Sequence, residues 1–364
     1  MSRIRCDLGA ALILLLLAGP VLPASLPPIV AKFTLEHLAH GAVKNASPVF
    51  LSEDTLALLV RSVDHAASPP APSGTAPTPR RSGTSKLAVL RLANEQLQIL
   101  AETDSAYEAN QLFSVSNGRL LIAGAREKTL YSPDLRQKWE LGMKVLSKQF
   151  PQTGIIGEAK GEELFRLTTP PTSIDRATGE LLAVSSDMLV YQTEDAIRTT
   201  TADGAERGSI QITPGTRYFN NVEIAGPARL YFSLAGDEHI TDLAGKMIVR
   251  VQPPGGWGFR DGWSSDGKRL LFDRYLRNVG FGRRLVELIA DALGPPLLEE
   301  ANGEVVRVID VSTGATCLNL ESPHALLGQA GEYHADLSPS GSLVAIATST
   351  ELTVYHLPTI CPNE

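Results

Sequence analysis

The chain is short of several features that usually announce a function. Of 364 residues only three are cysteine, and 6% are aromatic. Its 33 basic side chains do not outnumber the 40 acidic ones, so a net charge of −7 gives no electrostatic footprint for nucleic acid. After Leu17 no apolar run approaches the roughly 20 residues that a spanning helix needs. A His-Glu-x-x-His helix, a Gly-x-Ser-x-Gly elbow, an Asp-rich calcium loop and a Gly-rich phosphate cradle are all missing. These absences exclude helical membrane bundles, zincins, α/β-hydrolases and P-loop enzymes. The seven histidines are scattered, and the cysteines have no matching histidine cluster, so neither a metal nor a cofactor is expected. With 43% apolar and 20% charged residues the composition is still that of a globular chain.

The first feature present is an export signal over residues 1–24. Arg3 and Arg5 precede a short apolar stretch, Leu8 to Leu17; Gly19-Pro20 breaks it, and the small residues Ala24-Ser25 follow. The alternative is an uncleaved N-terminal anchor. Cys6 lies before the apolar stretch, not after it as a lipidated cysteine would. Location in a periplasm or outside the cell is therefore expected. Cleavage would leave Cys317 and Cys361, and an even pair in an oxidising compartment suggests a disulfide. It would close a loop of about 43 residues, worth roughly 3–4 kcal/mol on chain-entropy grounds. Two unlinked thiols are the other reading.

Beyond residue 25 helical periodicity is scarce, whereas Gly (31) and Pro (24) are plentiful. Short apolar runs bounded by Gly, Asp, Asn, Ser or Pro recur, which is the pattern of many strands and tight turns. One signature repeats: an apolar residue, a serine, a polar turn, then an apolar strand. It occurs at Phe50 to Asp54, Phe113 to Gly118, Trp263 to Gly267 and Leu337 to Gly341. A second signature marks hairpins at Asn94, Asp134, Thr178-Gly179, Asp203-Gly204, Gly245 and Thr313-Gly314. Its average step is about 44 residues, the length of a four-stranded propeller blade. One step is short, so the unit around Asp187 to Ile212 is either short or misread. One is long because residues 278–303 interrupt the sixth unit. There Arg284, Leu285, Leu288, Ile289 and Leu293 predict an amphipathic helix ended by Gly294-Pro295-Pro296. Residues 66–83 are a Pro-rich loop insert. The expected fold is all-β: one propeller domain over 25–364, with seven blades favoured and six possible. Ile29 to Leu35 has strand character with no partner near it, and is predicted to close the ring as the outer strand of the last blade.

The turns Trp263-Ser264-Ser265-Asp266-Gly267 and Leu337-Ser338-Pro339-Ser340-Gly341 resemble the WD40-like repeat of TolB-type propellers. The Trp-Asp and Gly-His dipeptides of strict WD40 blades are absent. The resemblance implies an exported propeller that serves as a protein- or ligand-binding platform, and it carries no catalytic residues over.

Two groups are candidate binding residues. Glu332, His334 and Asp336 alternate along one predicted strand and would face the same way, where they could bind a cation or exchange protons. Trp257, Arg260, Asp261, Arg274, Tyr275 and Arg277 combine aromatics with arginines, as binding hot spots do. Two functions follow as expectations. One is a non-enzymatic monomer binding a protein or glycan ligand. The alternative is a hydrolase or lyase whose site is assembled in the axial channel.

Overall fold

A computed structural model describes residues 26–362, except 40, 64–82, 106–108, 116–117, 125–127, 142–148, 151–154, 158–163, 167–171, 175–178, 185–187, 202–203, 217, 219–221, 235–236, 252–256, 278–301 and 324–333. The expected signal, the body of the Pro-rich insert and the expected helix at 284–293 lie outside the described residues.

The described residues form seven antiparallel sheets of four strands. A first strand, β1 (Ile29–Thr34), is followed by a 3₁₀ turn at Leu35–His37. Sheet one then runs β2 (Ala42–Phe50), β3 (Thr55–Val63), β4 (Gly83–Ala93) and β5 (Gln96–Ser105). Sheet two is β6 (Ala109–Val115), β7 (Arg119–Gly124), β8 (Lys128–Tyr131) and β9 (Lys138–Glu140). Sheet three is β10 (Gln149–Phe150), β11 (Ile155–Gly157), β12 (Leu164–Arg166) and β13 (Thr172–Ile174). Sheet four is β14 (Glu180–Val184), β15 (Met188–Gln192), β16 (Ala196–Thr201) and β17 (Glu206–Gln211). Sheet five is β18 (Val222–Ile224), β19 (Arg229–Leu234), β20 (Asp237–Asp242) and β21 (Met247–Val251). Sheet six is β22 (Trp257–Trp263), β23 (Arg269–Arg277), β24 (Asn302–Asp310) and β25 (Thr316–Pro323). Sheet seven is β26 (His334–Leu337), β27 (Leu343–Ala347) and β28 (Glu351–His356), with β1 as its fourth strand.

The pairing expected for the N-terminal strand is present. β1 lies antiparallel to β28, with Phe33 opposite Leu352 and Ala31 opposite Val354. Leu35 donates its amide to the Thr350 carbonyl and His356 to that of Pro28, extending the pairing past both strand ends. The Lys32–Glu351 ion pair beside it is exposed, and such pairs add little.

First strands of neighbouring sheets meet one another: β2 with β6, β14 with β18, β22 with β26, and β26 with β2. They therefore form the inner side of the arrangement, and fourth strands such as β5 and β21 its outer side. Apolar side chains fill the gaps between sheets. Sixteen buried residues, among them Phe50, Leu58, Leu90, Ala345 and Leu352, join sheets seven and one. Tyr231, Ile240, Phe272 and Ile309 join five to six, while Val190, Ile197, Leu230 and Phe232 join four to five. Each fully buried large apolar side chain contributes about 1.5–3 kcal/mol, so these seams dominate cohesion.

The first turn signature sits where the sequence places it, between the first two strands of sheets one, two, six and seven. Its serine is the organising residue. The Ser264 hydroxyl donates to Asp266 and accepts the Arg269 amide, and Ser338 likewise accepts the amide of Leu343. Ser132 does the same in the β8–β9 hairpin, donating to Asp134 and accepting from Gln137. That further copy is disguised, because Leu135 occupies the left-handed position (φ 58°) where Gly267 and Gly341 stand in two of the others.

Two expectations need correction. Of the two readings of the unit around Asp187 to Ile212, the short blade is corrected: it is a complete four-stranded sheet, and the spacing was misread. The irregular spacing arose from Thr178-Gly179: despite its likeness to Thr313-Gly314, it lies between β13 and β14, which belong to different sheets. Local sequence does not reveal whether a turn joins strands of one sheet or of two. The interruption of the sixth unit also ends earlier than expected, since Asn302 and Gly303 already belong to β24.

Cys317 and Cys361 form a disulfide, with Cα atoms 4.7 Å apart. Cys317 is the bulged residue of β25, skipped between the pairs Val308–Leu318 and Ile309–Thr316. The Arg269 guanidinium lies against both sulfurs and donates to the carbonyls of Pro358 (2.9 Å) and Thr359 (3.0 Å). It also pairs with Asp310 at 3.3 Å, so this buried arginine fixes the tail to sheet six.

Two stability measurements test these assignments. Gly267 and Gly314 both have left-handed backbones, at φ 68° and 73°. A Cβ on Gly267 would run into the Ala225 carbonyl of sheet five, whereas Gly314 faces open space. In urea unfolding, Gly314→Ala should cost about 1 kcal/mol and Gly267→Ala at least about 3 kcal/mol. The second measurement concerns the turn aspartates, all held below the ordinary carboxylate range. Asp54 and Asp134 are lowered chiefly by the Ser52 and Ser132 hydroxyls. Burial pushes Asp266 and Asp310 up, but hydrogen bonds from Lys268 and Ser264, and from Ser312, outweigh it. The unfolded chain thus takes up protons first as pH falls. The stabilisation is complete above about pH 5 and lost progressively below about pH 4. The urea midpoint should fall across that window, and less steeply in a Ser52→Ala/Ser132→Ala variant.

Candidate functional site

Antiparallel topology gives the arrangement two unlike ends. Connections between first and second strands, and between third and fourth, emerge at one end, where the serine turns lie. Connections between second and third strands, and between sheets, emerge at the other. Val63 and Gly83, Arg277 and Asn302, and Pro323 and His334 all mark that second end. Both inserts expected from the sequence therefore attach to the same end.

The candidate residues gather there as well. Trp257 opens β22 and pairs with Tyr275 near the close of β23; Gly258 pairs with Arg274, Arg260 with Asp273, and Asp261 with Phe272. Arg277 pairs onward with Asn302. Alternation along β23 divides the group between two sides of the sheet. Trp257, Arg260, Tyr275 and Arg277 share the side of Asp273, and Asp261 and Arg274 take the other. Only the backbone of these six residues is described.

Glu332 lies outside the described residues, but His334 and Asp336 can be placed. Asp336 accepts the Phe50 amide of sheet one at 2.8 Å. The His334 ring lies 2.7 Å from the Asn45 amide group, also in sheet one. Asn45 uses its carbonyl oxygen to accept from Ser47, so its NH₂ faces His334 Nε2. Nδ1 points toward Asp273 of sheet six, 4.0 Å from its carboxylate. That buried carboxylate accepts the Ala335 amide at 3.1 Å.

His334 and Asp336 thus face the same way, as their alternation predicts, and what they face is sheet one. Asp273 and Asn45 complete the group and were missed in the sequence. The available signal was Asp273 itself, a charge inside the run Leu270 to Leu276. The assembled chemistry is an imidazole between an amide and a carboxylate, with both carboxylates engaged by backbone amides of adjoining sheets. This group joins sheets six, seven and one. Among the described residues no three His, Cys, Asp or Glu side chains converge to hold a metal ion.

The solved β-propeller domain of Cps50 (Swd1) from Myceliophteria thermophila is similar over 91% of this chain and 100% of its own, at 12% identity and a TM-score of 0.50. The protein is a β-propeller. Its sheets are blades, with the first strands toward the axis. Sqt1 from Chaetomium thermophilum (15% identity, TM-score 0.49) covers 91% of this chain and 98% of its own. The C-terminal WD40 domain of Sif2 (11%, 0.48) covers 92% and 99%. No protein-family description and no curated protein matches the sequence. At such identities the likeness is one of fold. The resemblance to TolB-type repeats rests on the serine turns alone.

Removing an acceptor from the blade joint tests its structural role. Asp273→Ala strands the Ala335 amide and should cost about 2–3 kcal/mol in urea unfolding at pH 7, with Asp336→Ala costing a similar amount. His334→Gln retains an acceptor for Asn45 and should cost less than about 1 kcal/mol. Equal effects from all three would refute the joint as described.

Proposed function

We propose that the protein is an exported, non-catalytic propeller that binds a protein or glycan ligand at the insert-bearing end of blades six and seven. The observation that carries this reading is the pairing of Trp257 with Tyr275, with Arg260, Arg274 and Arg277 close by on the same two strands. Aromatics and arginines are the residues that dominate binding energy at interfaces. The groups a hydrolase or lyase would recruit nearby (Asp273, His334 and Asp336) are committed to bonds between blades. Export is supported by the composition of residues 1–24, and no helix among the described residues is long and apolar enough to cross a membrane. A monomer is the form expected to act.

The test is photo-crosslinking of the chain in the envelope fraction and in the medium. One discrete adduct is expected, lost in a Trp257→Ala/Tyr275→Ala variant that still folds, and N-terminal sequencing of the recovered protein should begin at Ser25. Turnover of a glycoside or ester substrate that His334→Gln abolishes would overturn the non-catalytic reading.

A further inference from the structure

At the serine-turn end, away from the residues discussed above, a cleft of about 400 Å³ opens between blades one and two. Its walls are Leu51, Val89, Leu100 and Ala101 of blade one and Pro133 and Arg136 of blade two. The cleft has an identifiable origin. Outer strand β5 is ten residues long, whereas its counterpart β9 in blade two has three. Blade two therefore leaves part of the blade-one wall uncovered. At that place β5 carries a bulge: Ile99 pairs with Leu90 and Ala101 with Val89, so Leu100 is skipped. A bulge re-aims the side chain it displaces, and Leu100, 56% exposed, lines the cleft. One exposed leucine is ordinary; one presented by a bulge on the wall of an apolar cleft is not.

The rim supplies one oriented cation. Asp134 takes the Ser132 hydroxyl (2.6 Å) and the Arg136 amide (3.2 Å), and its other oxygen lies 3.6 Å from Arg136 Nε. The aspartate thus holds the Nε side of the guanidinium, and its charge is answered within its own turn. The terminal guanidinium nitrogens have no hydrogen-bond partner among the described residues, and the side chain is 85% exposed. A planar donor pair of this kind matches a carboxylate, which it can hold through two parallel bonds. The volume lies at the lower end of the range for small-molecule sites, about 300–1,000 Å³.

We infer that this cleft binds a small monocarboxylic acid with an apolar body, the carboxylate on Arg136 and the body against Leu51, Val89, Leu100 and Pro133. The inference does not rest on the function proposed above, which concerns the opposite end of the propeller.

Calorimetric titration of the full chain with 3-phenylpropanoate tests it. Saturable one-site binding is expected at about 0.1–1 mM. The uncharged 3-phenylpropanamide should bind about tenfold more weakly, as loss of a charge-assisted pair implies. Arg136→Gln should erase the preference for the acid, and Leu100→Ser should weaken acid and amide alike. Both positions are exposed, so unchanged thermal midpoints will show that the variants fold. Absence of saturable binding, or affinity that survives both substitutions, overturns the proposal. So does tighter binding of the tripeptide Gly-Gly-Phe than of the free acid, which would assign the cleft to a peptide terminus.

Discussion

The pairing of β1 with β28 is the constraint on which the remaining architecture depends. Among the described residues six blades are built from strands consecutive in sequence, whereas a further one borrows its outer strand from the other end of the chain. That loan covers the free edge of β28, and an uncovered edge is a template for unwanted pairing. It also brings Ala31, Val30 and Phe33 into the packed seam between blades seven and one. Three serine turns then link to one another beside this pairing. Ser265 donates its amide to Pro339, and Ser340 donates both amide and hydroxyl to Glu53. Turns of blades six, seven and one are thereby stitched across the place where the two chain ends meet.

What was legible in the sequence is what is local in the structure. The turns at Trp263 to Gly267 and Leu337 to Gly341 can be read because their hydrogen bonds span two to five residues. The closing strand could be read because an apolar segment without a nearby partner must find a distant one. Thr178-Gly179 misled because pairing, not turn chemistry, decides which strands share a sheet. The Ser132 turn went unrecognised as a further copy because Leu135 replaces the glycine, and hydrogen bonds rather than composition hold its backbone. Asn45 could not be found from pattern at all. Asn45 meets His334 across 289 residues of chain, and no periodicity encodes such a meeting. Of the candidate binding group, the residues were legible; their division between two sides of blade six required the register.

Polar groups between the blades follow one rule. The buried charges Arg269, Asp273 and Glu238 are each answered by an amide, a hydroxyl, a carbonyl or an opposite charge supplied by another strand. Arg269 is the most heavily used, reaching Asp310, two tail carbonyls and both sulfurs. Glu238 takes hydroxyls from Tyr231 and Ser233, and the Trp263 indole reaches Glu223 of blade five. Such groups cost several kcal/mol when one partner is lost, so they specify neighbours more than they add to cohesion. Apolar seams would tolerate a slipped blade; these contacts do not.

The separation of 319 residues between Lys32 and Glu351 has a consequence for how the molecule is made. Blade one can pair its four strands as soon as residue 105 is available, because all of its strand pairings lie within residues 42–105. Blade seven cannot exist until residues 351–356 have left the ribosome. The first strand synthesised is therefore the last to be paired, and must pass through translation with its apolar face uncovered. Contacts of such long range form slowly and leave intermediates prone to association. A chain stalled before residue 351 would hold six blades and a strand with no place in any of them, which marks incomplete product as a substrate for quality control.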